Sequence, residues 1–468
     1  MPDALAKNQI HEVLIQGCTS EGQGVARIDG RVVFVKQALQ GERCRIRILK
    51  AGKTAVYARV EELLEISPAR RMPDCPHYGK CGGCDYRHAA YEEELRLKLE
   101  RVNDAFLRIG GLDLQAEEIL PAPQTGRYRA KAIFNVGESA DGQPITGFYR
   151  ARTHEVIPVE DCLLLPEEVN RAAALLQRWM TENRIAPYRE ETGKGLIRHL
   201  FVRSGMFCVV AAGEPRRQEQ LIRLMRSELP ELKSLIWNVN RSRGNTVLAG
   251  EFHTLWGDDR VEVILSGLRF RLSPLSFFQV NLIQAERLYA LAVQMAELTG
   301  REQVVDLYCG AGAIGMLAAS RASGVTGVEV VPSAVEDAKE NAAANGIGNI
   351  RFFCDDAAEA AARFAAEGMR PDVLFVDPPR KGLAPEVIGS IDAMSPARVV
   401  YVSCDPATLA RDLRMFADKG YRAEKAVAVD MFPRTRHIET VCCLYHQKKD
   451  FISVPYESKN IDYSKQQK

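Results

Sequence analysis

From about residue 277 onward the chain alternates short apolar strings with helical segments: VVDLY, a glycine loop and a helix, VTGVEV, another helix, DVLFVD, and then VVYVSC. Apolar strands separated by helices demand a parallel sheet covered on both faces, and few other architectures accept such a pattern. The expected fold class is therefore multidomain α/β, with a Rossmann-like C-terminal unit. Ahead of it, a length of 468 residues leaves room for further domains at ~150 residues each. Hydrophobic residues at 46% and charged residues at 26% exclude wholesale disorder.

The string DLYCGAGAIG (306–315) sets Gly310, Gly312 and Gly315 at G-x-G-x-x-G spacing between a strand and a helix. Glycines there let the backbone turn tightly and approach a ligand closely. Glu329 ends the next strand, where a carboxylate can accept hydrogen bonds from ribose hydroxyls. An adenosine-bearing cofactor follows, and both NAD and S-adenosylmethionine satisfy these residues. FVDPPRKG (375–382) favours the second, because it puts Asp377 and two prolines at a strand's carboxyl end beside the ligand cleft. Enzymes that methylate exocyclic amines often carry asparagine at such a place. Aspartate points to a target atom other than an amine nitrogen.

VSCDPATLARD (402–412) ends another strand with Cys404, in polar company and ahead of a helix whose N-terminus favours thiolate. Cys309, Cys354, Cys442 and Cys443 read instead as core cysteines. Glu439, in RHIETV, is a lone carboxylate entering an apolar strand; if buried, its raised pKa suits it to proton transfer. A cysteine, a base and a methyl donor are what methylation of uracil C5 needs. Thiolate addition at C6 makes C5 nucleophilic, and a base must then remove the C5 proton so that the thiol can leave.

The strings SFFQVN (276–281), DLYCGAG, FVDPPRKG, VSCDPATLARD and HIETV occur in the order found in RNA uracil-5-methyltransferases. The chain resembles that family over nearly its whole length, and most of all its bacterial 23S ribosomal RNA branch. The resemblance implies Cys404 as nucleophile and Glu439 as base. It also implies contacts to S-adenosylmethionine from Gln279, Tyr308, Glu329 and Asp377, alongside the loop glycines Gly310 and Gly312. Ala313 stands where some relatives place asparagine, so no side-chain contact is carried over there.

Cys75, Cys81 and Cys84 form C-x5-C-x2-C, and Cys162 is an available fourth ligand. Four thiolates suit tetrahedral zinc or a four-iron cluster, and spacing does not choose. The resemblance implies the [4Fe–4S] cluster of the 23S branch, acting as a structural staple since uracil methylation transfers no electron. The transfer RNA branch is generally described without the cluster and without an N-terminal barrel.

Residues 9–66 read as short strands punctuated by glycines, and 31–60 hold eight basic side chains against one acid, Glu42. Arg43, Arg45 and Arg47 alternate with Cys44, Ile46 and Ile48, which predicts a basic face on a small barrel. The resemblance makes this a TRAM domain, an OB-like RNA-binding fold whose basic strand would contact phosphates. The expected partner is RNA, above all a 23S stem-loop with the target base turned out of its stack, and no obligate protein partner is expected. The same chemistry on a tRNA T-loop, or a non-catalytic RNA-binding or redox-sensing iron–sulfur protein, are the alternatives.

These readings divide the chain into 1–67, a TRAM-like OB-fold; 68–270, a central β-rich domain carrying the cluster cysteines, with a helix over 88–109 that packs on the catalytic domain; 271–446, the methyltransferase; and 447–468, a polar tail. No apolar run approaches the ~20 residues of a membrane span, and MPDALAKNQIHEV lacks a signal-peptide apolar region, so a cytoplasmic location is expected.

Overall fold

The computed structural model describes residues 5–447, so most of the polar stretch expected at 447–468 lies outside the described residues. At the N-terminus, Ile10–Leu14, Gly17–Cys18, Gly24–Ile28, Arg31–Lys36, Arg43–Ala51 and Val56–Glu65 form one sheet. Its order runs Ile10–Leu14, Arg43–Ala51, Val56–Glu65, Arg31–Lys36, Gly24–Ile28, Gly17–Cys18. The first and last of these are nearly continuous in the chain, so the sheet closes on itself around Val33, Val35, Cys44, Ile46 and Ile48. Arg43 and Arg45 do face outward, but the basic face is neutralised. Arg43 pairs with Glu12 (3.2 Å) and Glu65 (3.0 Å), Arg47 with Glu61 (2.8 Å), and Arg45 with Glu62. Counting charge over 31–60 missed this, because the partner carboxylates lie on neighbouring strands outside that window. Glu42, the one acid counted there, is fully buried and holds Arg70 at 2.5 Å.

The middle of the chain builds a seven-stranded sheet in the order Val156–Pro158, Pro144–Tyr149, Lys131–Glu138, Ile197–Arg203, Met206–Ala211, Ser234–Val239, Glu251–Gly257. Helices Glu167–Glu182 and Gln218–Glu228 cover one face. Trp179 and Trp237 meet edge to face at 6.3 Å in that core.

The C-terminal sheet has eight strands in the order Ile350–Cys354, Gly324–Glu329, Gln303–Leu307, Val373–Val376, Arg398–Ser403, Glu439–His446, Tyr421–Val429, Ile119–Leu120. The first five run parallel, and Glu439–His446 then inserts antiparallel beside Arg398–Ser403. The order reverses between Gln303–Leu307 and Val373–Val376, which opens a ligand cleft at the carboxyl ends of those strands. Two apolar cores lie on its opposite faces. Helix Tyr91–Ala105 continues as a π-turn, Phe106–Gly110, and ends at Gly111, whose φ of 61° suits a residue without Cβ. Val102 and Phe106 share a core with Leu409 and Leu413 of helix Pro406–Ala417, so this helix packs on the C-terminal unit. Among the described residues no helix is long and apolar enough to cross a membrane.

Candidate active site

The glycine loop follows Gln303–Leu307 directly. Tyr308 takes φ 65° and remains half-buried; Gly310 and Gly312 take φ 56° and 83°. A Cβ on Gly312 would stand 2.9 Å from the Phe352 ring, whereas one on Gly310 would meet only the Phe277 carbonyl oxygen at 3.8 Å. The loop is thus tight behind and open in front. Glu329 locks it from the adjacent strand: its carboxylate accepts from Gly310 N–H (3.1 Å) and Val331 N–H (2.9 Å). Oxygen lone pairs remain for ribose hydroxyls.

Asp306, which the sequence reading passed over inside its own motif, accepts from Gly315 N–H at 2.9 Å, while its other oxygen is buried without a partner. Burial pushes this carboxyl up to about 8. Asp377 lies beyond Val373–Val376, and desolvation with no offsetting hydrogen bond pushes it up to about 7. Gln279 is buried next to Tyr289, whose hydroxyl pKa is raised by burial and also by the charges of Asp377, Glu439 and Asp306. An orphaned carboxylate oxygen and an open glycine cradle fit an adenosine-bearing methyl donor with donors of its own.

Cys404 is half-buried, one residue past Arg398–Ser403, and Glu439 opens the antiparallel strand alongside. The ladder pairs Ser403 with Thr440, and one further step sets Cys404 opposite Glu439. Glu439 is 3% exposed, so it is a core carboxylate and no surface glutamate. Burial, reinforced by Asp377, drives its pKa well above the usual range, with Arg380 opposing. Cys404 departs from the expectation of a dipole-favoured thiolate. Burial first, then the charges of Glu439 and Asp377, push it up to about 12, against Arg380. The helix N-terminus that was expected to help is already capped: the Asp405 carboxylate accepts from Ala407 and Thr408 N–H (2.9 and 3.1 Å). Of the cysteines read as core, Cys309, Cys442 and Cys443 are buried but Cys354 is exposed at a strand end.

The segment leading into Glu439 is held from outside the C-terminal sequence. Lys98 Nζ, fully buried, donates to Glu94 and to Asp430, both at 2.7 Å, and to the Phe432 carbonyl at 3.2 Å. Tyr91 donates to Asp430 at 2.6 Å. Asp85 and Tyr86 N–H both donate to the Arg434 carbonyl (2.9 and 3.1 Å), and Arg436 N–H donates to the Asp85 carboxylate at 2.9 Å. Glu94 and Lys98 are an i,i+4 pair within one helix, but the partners that tie Lys98 and Asp85 to this segment, Asp430, Phe432, Arg434 and Arg436, lie more than 300 residues away.

Cys75, Cys81, Cys84 and Cys162 all line one cavity, together with Arg87 and Arg129. Arg87 donates to Cys84 Sγ at 3.4 Å, and the Arg129 Nε is buried without a partner. Among the described residues, no three His, Cys, Asp or Glu side chains close on a point as a single metal ion requires. The four thiols and two guanidiniums surround a space instead. Four thiols beside two cationic side chains are a donor set that either zinc or an iron–sulfur cluster can use.

Known proteins share this domain organisation and fold. Residues 218–448 match the family model described as tRNA (Uracil-5-)-methyltransferase, and residues 6–60 match the TRAM domain. An uncharacterized RNA methyltransferase of Clostridium acetobutylicum is 40% identical over 446 residues, covering 93% of this chain and 96% of the relative. One from Caldanaerobacter subterraneus subsp. tengcongensis is 41% identical over 438 residues, covering 92% and 97%. The crystal structure of Pyrococcus abyssi tRNA (uracil-54, C5)-methyltransferase in complex with S-adenosyl-L-homocysteine superposes with a TM-score of 0.75 at 25% identity, covering 92% of this chain and 99% of that one. With a TRAM domain, a methyltransferase sheet and full-length relatives in agreement, the chain belongs to the S-adenosylmethionine-dependent RNA uracil-5-methyltransferases.

Proposed function

We propose that this enzyme methylates C5 of a uridine in 23S ribosomal RNA through a covalent adduct between Cys404 and uracil C6. The observation that carries the reading is the placement of Cys404 opposite the buried Glu439 at the cleft end of the sheet. Cys404 gives up its proton to solvent on its accessible side and its sulfur bonds to C6, which moves the C5–C6 π pair onto C5. S-adenosylmethionine, when bound, would supply an electrophilic methyl group to that carbon, its S–CH3 bond breaking to leave S-adenosylhomocysteine. Glu439 removes the C5 proton, the electron pair reforms the C5–C6 double bond, and the Cys404–C6 bond breaks to return the thiolate. Gln279, Tyr308, Gly310, Gly312, Glu329 and Asp377 would hold the methyl donor, the glycines by close backbone approach and Glu329 through ribose hydroxyls. Glu439, dry and raised, needs only one proton from a carbon acid and is shielded from bulk water while it holds it.

Cys75, Cys81, Cys84 and Cys162 would hold a [4Fe–4S] cluster, beside Arg87 and Arg129, which balance its negative charge. Its role would be to fix the loop that Asp85 ties to the segment before Glu439. The four-cysteine set supports the ribosomal substrate through its likeness to the 23S branch. A tRNA uridine is the second reading, favoured by the solved tRNA enzyme that this chain resembles.

The test is incubation of the purified protein with 5-fluorouracil-containing 23S and tRNA transcripts and the methyl donor. Glu439 cannot remove fluorine, so an adduct should survive denaturing electrophoresis with the 23S transcript and vanish in Cys404→Ala. Adduct with the tRNA alone would move the substrate to tRNA. No adduct with either RNA, alongside intact methylation of unmodified RNA, would overturn the covalent route.

A further inference from the structure

The outward arginines of the TRAM strand are neutralised by neighbouring glutamates. Arg184, Arg216 and Arg217 break that pattern. All three are exposed and converge on one recess of about 670 Å³, together with Asn183, Gly195 and Leu196, and no carboxylate lines it. Of the acids nearest in the chain, Glu182 pairs with Arg178 at 3.8 Å and Glu214 with Arg241 at 2.5 Å, while Glu219, two residues past Arg217, lies outside the recess lining.

The recess lies at the start of the strand Ile197–Arg203. The other end of that strand reaches the C-terminal unit, where the Arg203 guanidinium donates to the Ser273 carbonyl at 2.8 Å, three residues before SFFQVN. Seven residues at ~3.3 Å each put about 20 Å between the recess and that junction, within reach of a short RNA stem.

Three unpaired guanidiniums around one concavity suit a polyanion with closely spaced oxyanions. Each planar fork can grip a phosphate by two hydrogen bonds. We propose that Arg184, Arg216 and Arg217 form a phosphate-binding recess that holds the RNA backbone on the central domain, away from the target uridine. The proposal rests on RNA being the substrate and adds a second, distant contact to it. It also shifts the electrostatic footprint from the TRAM strand, whose arginines are already paired, to the central domain.

The test uses the full-length protein, an unmodified 23S rRNA transcript and an unmodified tRNA transcript, with affinity measured across a potassium chloride series. The triple variant Arg184→Gln, Arg216→Gln, Arg217→Gln should flatten the slope of log K against log salt by about 2, at ~0.7 per lost single-strand phosphate contact. Turnover at saturating RNA and S-adenosylhomocysteine affinity should stay at parent values. The corresponding triple lysine variant should keep the parent slope, because the charges remain. An unchanged slope in the glutamine variant, or an equal loss in the lysine variant, would overturn the proposal. So would binding of polyglutamate that the glutamine variant loses while its RNA slope persists, which would assign the recess to acidic polypeptides. A parent protein that binds RNA with a steep slope yet methylates none of it would sink the functional reading and leave the recess standing.

Discussion

Cys404 and Glu439 are the residues just beyond the last rung, Ser403–Thr440, of an antiparallel strand pair, and the Glu439 charge acts on the Cys404 thiol. The sulfur stays partly accessible while the carboxylate is sealed in the core. This arrangement fits the proposed roles, a nucleophile that reaches substrate and a base that holds a proton away from water.

Replacing Glu439 by glutamine should separate the two halves of the reaction. Adduct formation and methyl transfer remain, but deprotonation at C5 loses its base. Turnover is expected to fall by about 10²–10⁴-fold, with methylated RNA still bound to the protein on denaturing gels. Loss of turnover without trapped RNA would mean that Glu439 acts before the adduct forms.

The pH dependence follows from the raised thiol. With Cys404 pushed up to about 12, its thiolate fraction rises about tenfold per pH unit through the neutral and mildly alkaline range. Alkylation of Cys404 by iodoacetamide, followed on its own peptide by mass spectrometry, should climb with that slope in the free enzyme. Because the Glu439 charge disfavours thiolate, Glu439→Gln should speed alkylation at a given alkaline pH. A rate already flat above neutrality would show a preformed thiolate and contradict the burial.

Gly312→Ala tests the cofactor loop. At φ 83° a side chain costs ~1–2 kcal/mol, and the new Cβ would press the Phe352 ring at 2.9 Å. S-adenosylhomocysteine affinity, measured calorimetrically, should drop by tenfold or more, at ~1.4 kcal/mol per factor of ten. Affinity within twofold of the parent would remove this loop from the binding site.

Lys98→Met should destabilise the fold by ~3–5 kcal/mol, because Glu94 and Asp430 are left buried without their shared cation. Urea denaturation followed by circular dichroism measures this directly. A loss under ~1 kcal/mol would mean that the pair relaxes to water or shares a proton at little cost.

Local pattern carried a good deal of this protein. The alternating strings announced the parallel sheet, and the glycine spacing after VVDLY marked a turn that the backbone then makes with positive φ at Gly310 and Gly312. Strand-end positions put Asp377 and Cys404 at one edge, since a parallel sheet delivers the carboxyl ends of its strands to the same side. The helix expected at 88–109 packs on helix Pro406–Ala417, because its apolar stripe needed a partner.

Pairing and desolvation were not legible. The RCRIRIL strand reads as a positive face, but its glutamates come from strands that only the folded sheet brings alongside. Whether Glu439 is solvated or buried depends on a strand inserting antiparallel between two others, and the Cys404 thiol rises because that same insertion puts a carboxylate beside it. Sequence by itself determined periodicity, turns and the residue types at strand ends, since these depend on the nearest few bonds. Only the tertiary structure decided which charges meet and which lose their water, because Coulomb energy and solvation depend on distance through space and take no account of separation along the chain.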